Sequence, residues 1–400
     1  MVWDTQTKVN VGVRNVRVVA KRWFKVERMM TDNAGRFTAT QKFRNKVKVI
    51  VKFKNNDSII RSIRGVRIWS ILLPLEFNFG PISGSQINTF QHQFNYNSDV
   101  SSVANLVWNA ATVNNAVQEH KVYATQLGIG LPPSKLKIFL TRNKKNGLAA
   151  STPLFAKRAV YDINVLFDNT YGINYSAGAG VDLIISQYIA GELDIILGYY
   201  TPGQNSITSD EVMTTMYHEL SHAIHYNKVG NTWYTEFVNA ELTEIANYYK
   251  GNTFPYGPGN NSVSAIIALG EGWAYHMGHF MANLKYGTLA PCQSEEQIAR
   301  CPGGGAHPHV DVIELYNPTS NYVFHWIPKG LMLDLMDNTT AEQIGPVPLA
   351  DQVTGYTNQQ FYNALQSDVN SIGAFRDRLL QQNNNNQQQQ VINLVHTYGY

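Results

Sequence analysis

Cysteine is almost absent from this chain. Cys292 and Cys301 are the two in 400 residues, each beside a proline in PCQSEEQIARCP. No CxxC pair exists, which excludes a cysteine-ligated zinc knuckle. The two thiols are either free or joined in a short surface disulfide, and the disulfide needs an oxidising compartment. Long apolar runs are missing as well. The longest, residues 68–75, is broken by Ser70 and Pro74, far short of the ~18 residues of a membrane-spanning helix, so no transmembrane segment is expected. The chain opens without a basic n-region and apolar h-region. That leaves a cytosolic protein or an exported one whose signal has been removed. No internal repeat is visible.

Acidic residues are scarce at one end. Residues 1–68 hold 17 Lys and Arg against Asp4, Glu27, Asp32 and Asp57, a net of +13; the remainder holds 15 against 25, a net of −10, and the two sum to the overall +3. A split this sharp suggests two units. The basic one is read either as a solvated sheet face with Lys and Arg at alternate positions or as a contact for a polyanion, nucleic acid not being expected.

What is present is ample for a core: 44% hydrophobic residues, 12% of the chain aromatic. Residues 13–24 (VRNVRVVAKRWF) and 45–54 (NKVKVIVKFK) carry alternating or β-branched patterns, with the turn-forming TDNAG between them. A small β-sandwich over 1–68 fits. The run NVRVVAKRWF, TDNAGRF, KVKVIVKF resembles the carboxypeptidase regulatory-like (transthyretin-like) domains of exported bacterial proteins, which implies an accessory role and an exported location: periplasmic, outer-membrane-associated or extracellular. Residues 69–97 read as a crossing into a second unit, 98–380. There a helix is expected over 98–127, then strands at 135–141, 181–186 and 193–199, the last a candidate edge strand for an extended peptide or an ordinary core strand. Helices follow at 209–227, 233–249, 262–284, 321–336 and 358–381. Strands followed by helices define an α+β fold with a small mixed sheet. QQNNNNQQQQ, 381–390, reads as a disordered or solvated linker, and 381–400 as a tail.

The chemistry concentrates in MYHELSHAIHY, 216–226. Thr208 and Glu211 form a T-x-x-E capping pattern, and Val212, Met216, Leu220, Ala223 and Ile224 recur at helical spacing. His218 and His222 then lie one turn apart on one face, the spacing at which two imidazoles chelate one Zn2+ ion. Glu219 projects about 100° around the axis from His218, where it reaches a metal-bound water without ligating. The third ligand must come from elsewhere, because AIHYNKVG follows His222 and rules out the metzincin extension. Glu236, Glu241, Glu244 and Glu271 are the candidates. Glu271 has the distinctive setting, LGEGWAYHMGHF: a helix that accepts Gly270, Gly272 and Gly278 packs closely on a neighbour, as delivery of a short carboxylate requires.

HELSH followed by GEGWAYH resembles the gluzincin metallopeptidases. The resemblance implies a zincin-like domain, one zinc held by His218, His222 and Glu271, Glu219 as general base, and hydrolysis of a peptide or protein substrate. Gly270 stands where the aminopeptidases of that clan have Asn, 48 residues separate His222 from Glu271, and no Gly-x-Met-Glu-Asn segment is present, so aminopeptidase activity is not implied. Tyr275, His279, Tyr316, Tyr322 and His325 are candidate transition-state stabilisers. His307, His309 and Asp311 in AHPHVD form a further cluster. The competing reading is a non-catalytic exported binding protein with a structural zinc; an intact Glu219 argues against it, since a structural site has no use for a base.

Overall fold

The computed structural model describes residues 1–62, 72–99, 101–141, 149–150, 193–198, 207–248, 259, 262–287, 326–337, 343–344, 347–348 and 352–400. The fold is α+β, with strands leading and helices following. Contacts divide the chain into two units, 1–120 with 133–216, and 121–132 with 217–400.

The first unit is built on two four-stranded sheets and a hairpin. The hairpin joins β1 (Val2–Asp4) to β2 (Val9–Val11). One sheet is antiparallel and combines β3 (Arg17–Arg22), β4 (Lys25–Met30), β5 (Lys46–Lys52) and β7 (Glu76–Ser83) in the order β4-β3-β5-β7. On β5 Val47 and Val49 are fully buried while Lys46 and Lys48 are exposed, the alternation of a sheet with one wet face. The other sheet contains β6 (Ser58–Ser62), β8 (Leu136–Thr141), β9 (Ala149–Ala150) and β10 (Ile195–Gly198) in the order β6-β8-β10-β9. Its β6, β8 and β10 are parallel, and the unbroken apolar runs IFL and IIL suit strands covered on both faces.

Several sequence expectations shift here. β6 and β7 flank residue 68 and pair with β8 and β5 respectively, so the strands of 1–68 join both sheets. Among the described residues β10 is interior: β8 pairs along it on one side and β9 meets Ile196 and Leu197 on the other, so it is not an edge strand there. The helix expected from 98 begins later, as α1 (Val103–Gln126), because the Ser102 hydroxyl accepts from Asn105 N–H and caps it. Polar side chains of α1 are buried as clamps: Asn115 accepts from Arg14 N–H and donates to the Gly12 carbonyl, and Trp108 donates to the Trp3 carbonyl. The strand expected at 181–186 lies outside the described residues, as do Cys292 and Cys301.

The second unit is helical. It carries the C-terminal part of α2 (Ser209–Val229), then α3 (Asn231–Tyr248), α4 (Ser264–Tyr286), the single turn α5 (Leu331–Asp334), the short hairpin β11 (Gln343–Ile344) and β12 (Val347–Pro348), and α6 (Asn358–Ala364), α7 (Ile372–Gln382) and α8 (Gln388–Thr397). The helix expected over 358–381 is two helices. A Thr357–Gln360 capping box opens the first and Ser371 caps the second, and between them the Val369 carbonyl accepts from Trp233 Nε1. The Gln/Asn tract is not a bare linker either. Asn384, Asn385 and Gln387 adopt left-handed φ of 56°, 55° and 53°, which Asn tolerates well. Asn383 accepts from Gln360, the Asn386 carbonyl from Tyr356, and α8 then buries Val391, Leu394 and Val395.

Candidate metal centre

The helix expected at 209–227 is α2, and Val212, Met216, Leu220, Ala223 and Ile224 are all fully buried. Its start is half a capping box: the Glu211 carboxylate accepts from both the N–H and the hydroxyl of Thr208.

Two neighbouring helices converge on its HELSH turns. On α3, the Tyr234 hydroxyl lies 3.1 Å from both the His222 carbonyl oxygen and His225 Nδ1, and the Phe237 ring is 5.8 Å from that of His222. On α4, Trp273 Nε1 donates to the Ser221 carbonyl at 3.2 Å. At Gly270 α4 packs tightly on α3. A Cβ there would stand 2.5 Å from Phe237 Cε2, so the glycine is what lets the helices approach. Gly272 meets only ordinary contacts, at 3.6 Å and beyond, with Pro328.

The close approach delivers Glu271. Its Oε1 is 3.2 Å from His222 Nε2 and its Oε2 is 3.4 Å from His218 Nε2, while the two imidazole Nε2 atoms are 3.2 Å apart. Among the described residues this is the group of three or more His, Cys, Asp or Glu side chains able to hold a metal ion. Its dimensions fit one. Donors at about 2.0–2.1 Å from a tetrahedral zinc lie about 3.3–3.4 Å from each other, the edge of that tetrahedron. Two imidazole nitrogens and a carboxylate are also the donor types zinc accepts. Burial by itself would raise the Glu271 carboxyl; the charge of His222 and hydrogen bonds from His218 and His222 outweigh it and hold Glu271 well below the usual carboxylate range.

The other candidates sort by position. Glu219 is buried, on the same turn as His218, and outside the converging donor group. Glu241, half-buried on α3, is pushed well above the ordinary carboxylate range, first by burial and then by the charges of Glu271 and Glu219. It is not one of the converging donors. Glu244 is fully buried and hydrogen-bonded to Ser264, and neither it nor Glu236 joins the group. His225 is turned into α3, against Trp233 and Tyr234, and its burial holds it well below the usual histidine range. Tyr275 sets its ring edge-on to His218, with centroids 4.6 Å apart, and His279 stacks beyond it at 6.1 Å. Tyr316, Tyr322, His325 and the AHPHVD segment lie outside the described residues.

One neighbour escaped the sequence reading. Lys329, 3% exposed, carries its Nζ 4.0 Å from the centroid of the Tyr275 ring. A lysine in WIPKG has no periodicity or spacing that links it to HELSH; the contact is purely tertiary. No protein-family model, curated protein or solved structure matches this chain.

Proposed function

We propose that this chain is a zinc-dependent metallopeptidase of the gluzincin type. The observation that carries the reading is the donor triangle of His218, His222 and Glu271, with edges of 3.2–3.4 Å and a buried carboxylate, Glu219, beside it that is not one of the donors. Zinc held by three protein donors supplies Lewis acidity, acidifying a water and polarising the scissile carbonyl. His218 and His222 present Nε2 from one helical face, and Glu271 closes the set from α4. Glu219 accepts the proton of the attacking water at its carboxylate and passes it to the leaving amine. Tyr275, edge-on to His218, and His279, stacked on Tyr275, are the described candidates for donating to the developing oxyanion. Peptide or protein is the substrate class. Export, and an accessory role for the basic N-terminal strands, rest on the sequence resemblance.

The test pairs two variants. Glu219→Gln should retain zinc by elemental analysis and lose about 10²–10⁴ in the rate of cleavage of a peptide library, whereas His222→Ala should lose the metal. Cleavage by Glu219→Gln at the parent rate would overturn the enzymatic reading and leave a zinc that only holds the helices together. Retention of full zinc by His222→Ala would overturn the ligand set.

A further inference from the structure

The hairpin between β3 and β4 ends in the two residues least suited to it. Arg22 pairs with Lys25 as the last rung, so the loop is Trp23 and Phe24 alone. Trp23 has φ of 54°, and in two-residue hairpins with positive φ at the first position that place belongs to Gly. A bulky aromatic residue there is unfavourable to the turn. Both side chains are also left in water: Trp23 is 84% exposed and Phe24 is 100% exposed. Neither packing nor turn formation accounts for this pair.

The surroundings are cationic. Lys21, Lys25, Lys42, Lys46 and Lys48 are all exposed, and the register pairs Lys21 with Lys48, which brings the start of β5 to the same end of the sheet as the tip. Residues 17–48 contain ten Lys and Arg against Glu27 and Asp32. Glu27 does not offset them at the surface, because it is buried and its carboxylate accepts from Thr40 and Gln41. Two exposed aromatic side chains inside a ring of lysines match the chemistry of an anionic bilayer surface. Indole and phenyl rings settle at the headgroup level, and basic residues are held by the surface potential. A soluble polyanion without bases to stack would use the lysines and leave the aromatic pair without a role. Such a contact is peripheral and needs no spanning helix; no described helix is long and apolar enough to cross a membrane.

We propose that the Trp23–Phe24 tip and the lysines around it dock this protein on anionic lipid bilayers. The full chain is sedimented with vesicles of phosphatidylcholine alone and of equal parts phosphatidylcholine and phosphatidylglycerol. Binding to the second and not the first is expected, weakening by about fivefold for each lysine removed from the ring and falling as salt is raised. The key variant is Trp23→Gly/Phe24→Asn, which puts a residue suited to positive φ in the turn and removes no buried contact, so it should fold at least as well as the parent. It should lose at least about tenfold in anionic-vesicle binding. Failure of the parent chain to bind anionic vesicles overturns the proposal. Undiminished binding by the double variant also overturns it and assigns the lysines to a soluble polyanion. A parent dimer in the absence of vesicles that the double variant separates overturns it in favour of a second copy of this chain.

Discussion

Gly270 and Gly272 sit two residues apart on the same buried helix, and Ala should act on them with opposite signs. In a helix interior Gly→Ala gains up to about 1 kcal/mol from backbone entropy alone. At Gly272 nothing opposes that gain, because the new Cβ would meet Pro328 atoms at 3.6–3.7 Å, ordinary contact distance. At Gly270 it would stand 2.5 and 2.9 Å from Phe237 Cε2 and Cδ2 and 3.3 Å from Trp233 Cη2. Phe237 is 1% exposed and stacks on Trp233 with centroids 5.6 Å apart, so its ring edge has no free direction. Overpacking of this kind costs about 1–3 kcal/mol. Net of the helix gain, Gly270→Ala should destabilise by about 1 kcal/mol while Gly272→Ala stabilises by a similar amount. Thermal melts with chelator present read the difference without the metal, and for a unit of this size each kcal/mol moves Tm by about 2–4 °C. Gly270→Ala should also weaken the proposed binding of zinc, since the Phe237 ring lies 5.8 Å from that of His222. Equal stabilisation by both variants would refute the close approach of α3 and α4 as the reason for the glycine.

Acid should weaken the fold through His276, which burial pulls down to about 4 against a single opposing hydrogen bond with Asn358 Oδ1. A histidine lowered in the folded state stabilises fully above its unfolded pKa of 6.5, and that contribution is lost as pH falls from there toward about 4. The loss is on the order of 3 kcal/mol, and urea unfolding of His276→Gln should show a correspondingly flatter pH dependence over that window; an unchanged slope would refute it. Ser209 holds the start of α2 to the N-terminal hairpin, accepting from Thr5 N–H at 2.8 Å and donating to Asp4 Oδ1 at 2.9 Å. Ser209→Ala removes the acceptor of the buried Thr5 N–H, while Asp4 Oδ1 keeps the Gln6 and Thr7 N–H groups, so it should cost about 1–3 kcal/mol in denaturant titration.

The legible part of the site was the part that local spacing decides. His218 and His222 are one turn apart on any helix, and the buried stripe from Val212 to Ile224 follows the period that the sequence displays. Glu271 needed one further step, and glycine supplied it: Gly270 does bring two helices together, although Gly272 and its neighbour Pro328 show that not every glycine in GEGWAYHMG marks a close approach. Strand identity in 135–141 and 193–199 was equally local. What local spacing does not decide is whatever depends on a partner distant in sequence. The boundary at 68 was drawn from charge, but pairing decides sheet membership, and β6 finds β8 across more than 70 residues. Charge reports which face is wet, not which strand is next. The Gln/Asn tract misled for a related reason. Its composition describes an unfolded chain, whereas Asn383, Asn386 and Gln387 are held by Gln360, Tyr356 and Thr354, none of which composition can show. The same tertiary blindness hid Lys329. The Trp23–Phe24 tip differs: its misfit is visible in sequence once the turn is known, because Trp occupies the place a two-residue hairpin reserves for Gly. Local rules obeyed along β3 and β4 and broken at their junction point to selection for something other than folding, and that is where a contact with another surface is most economically sought.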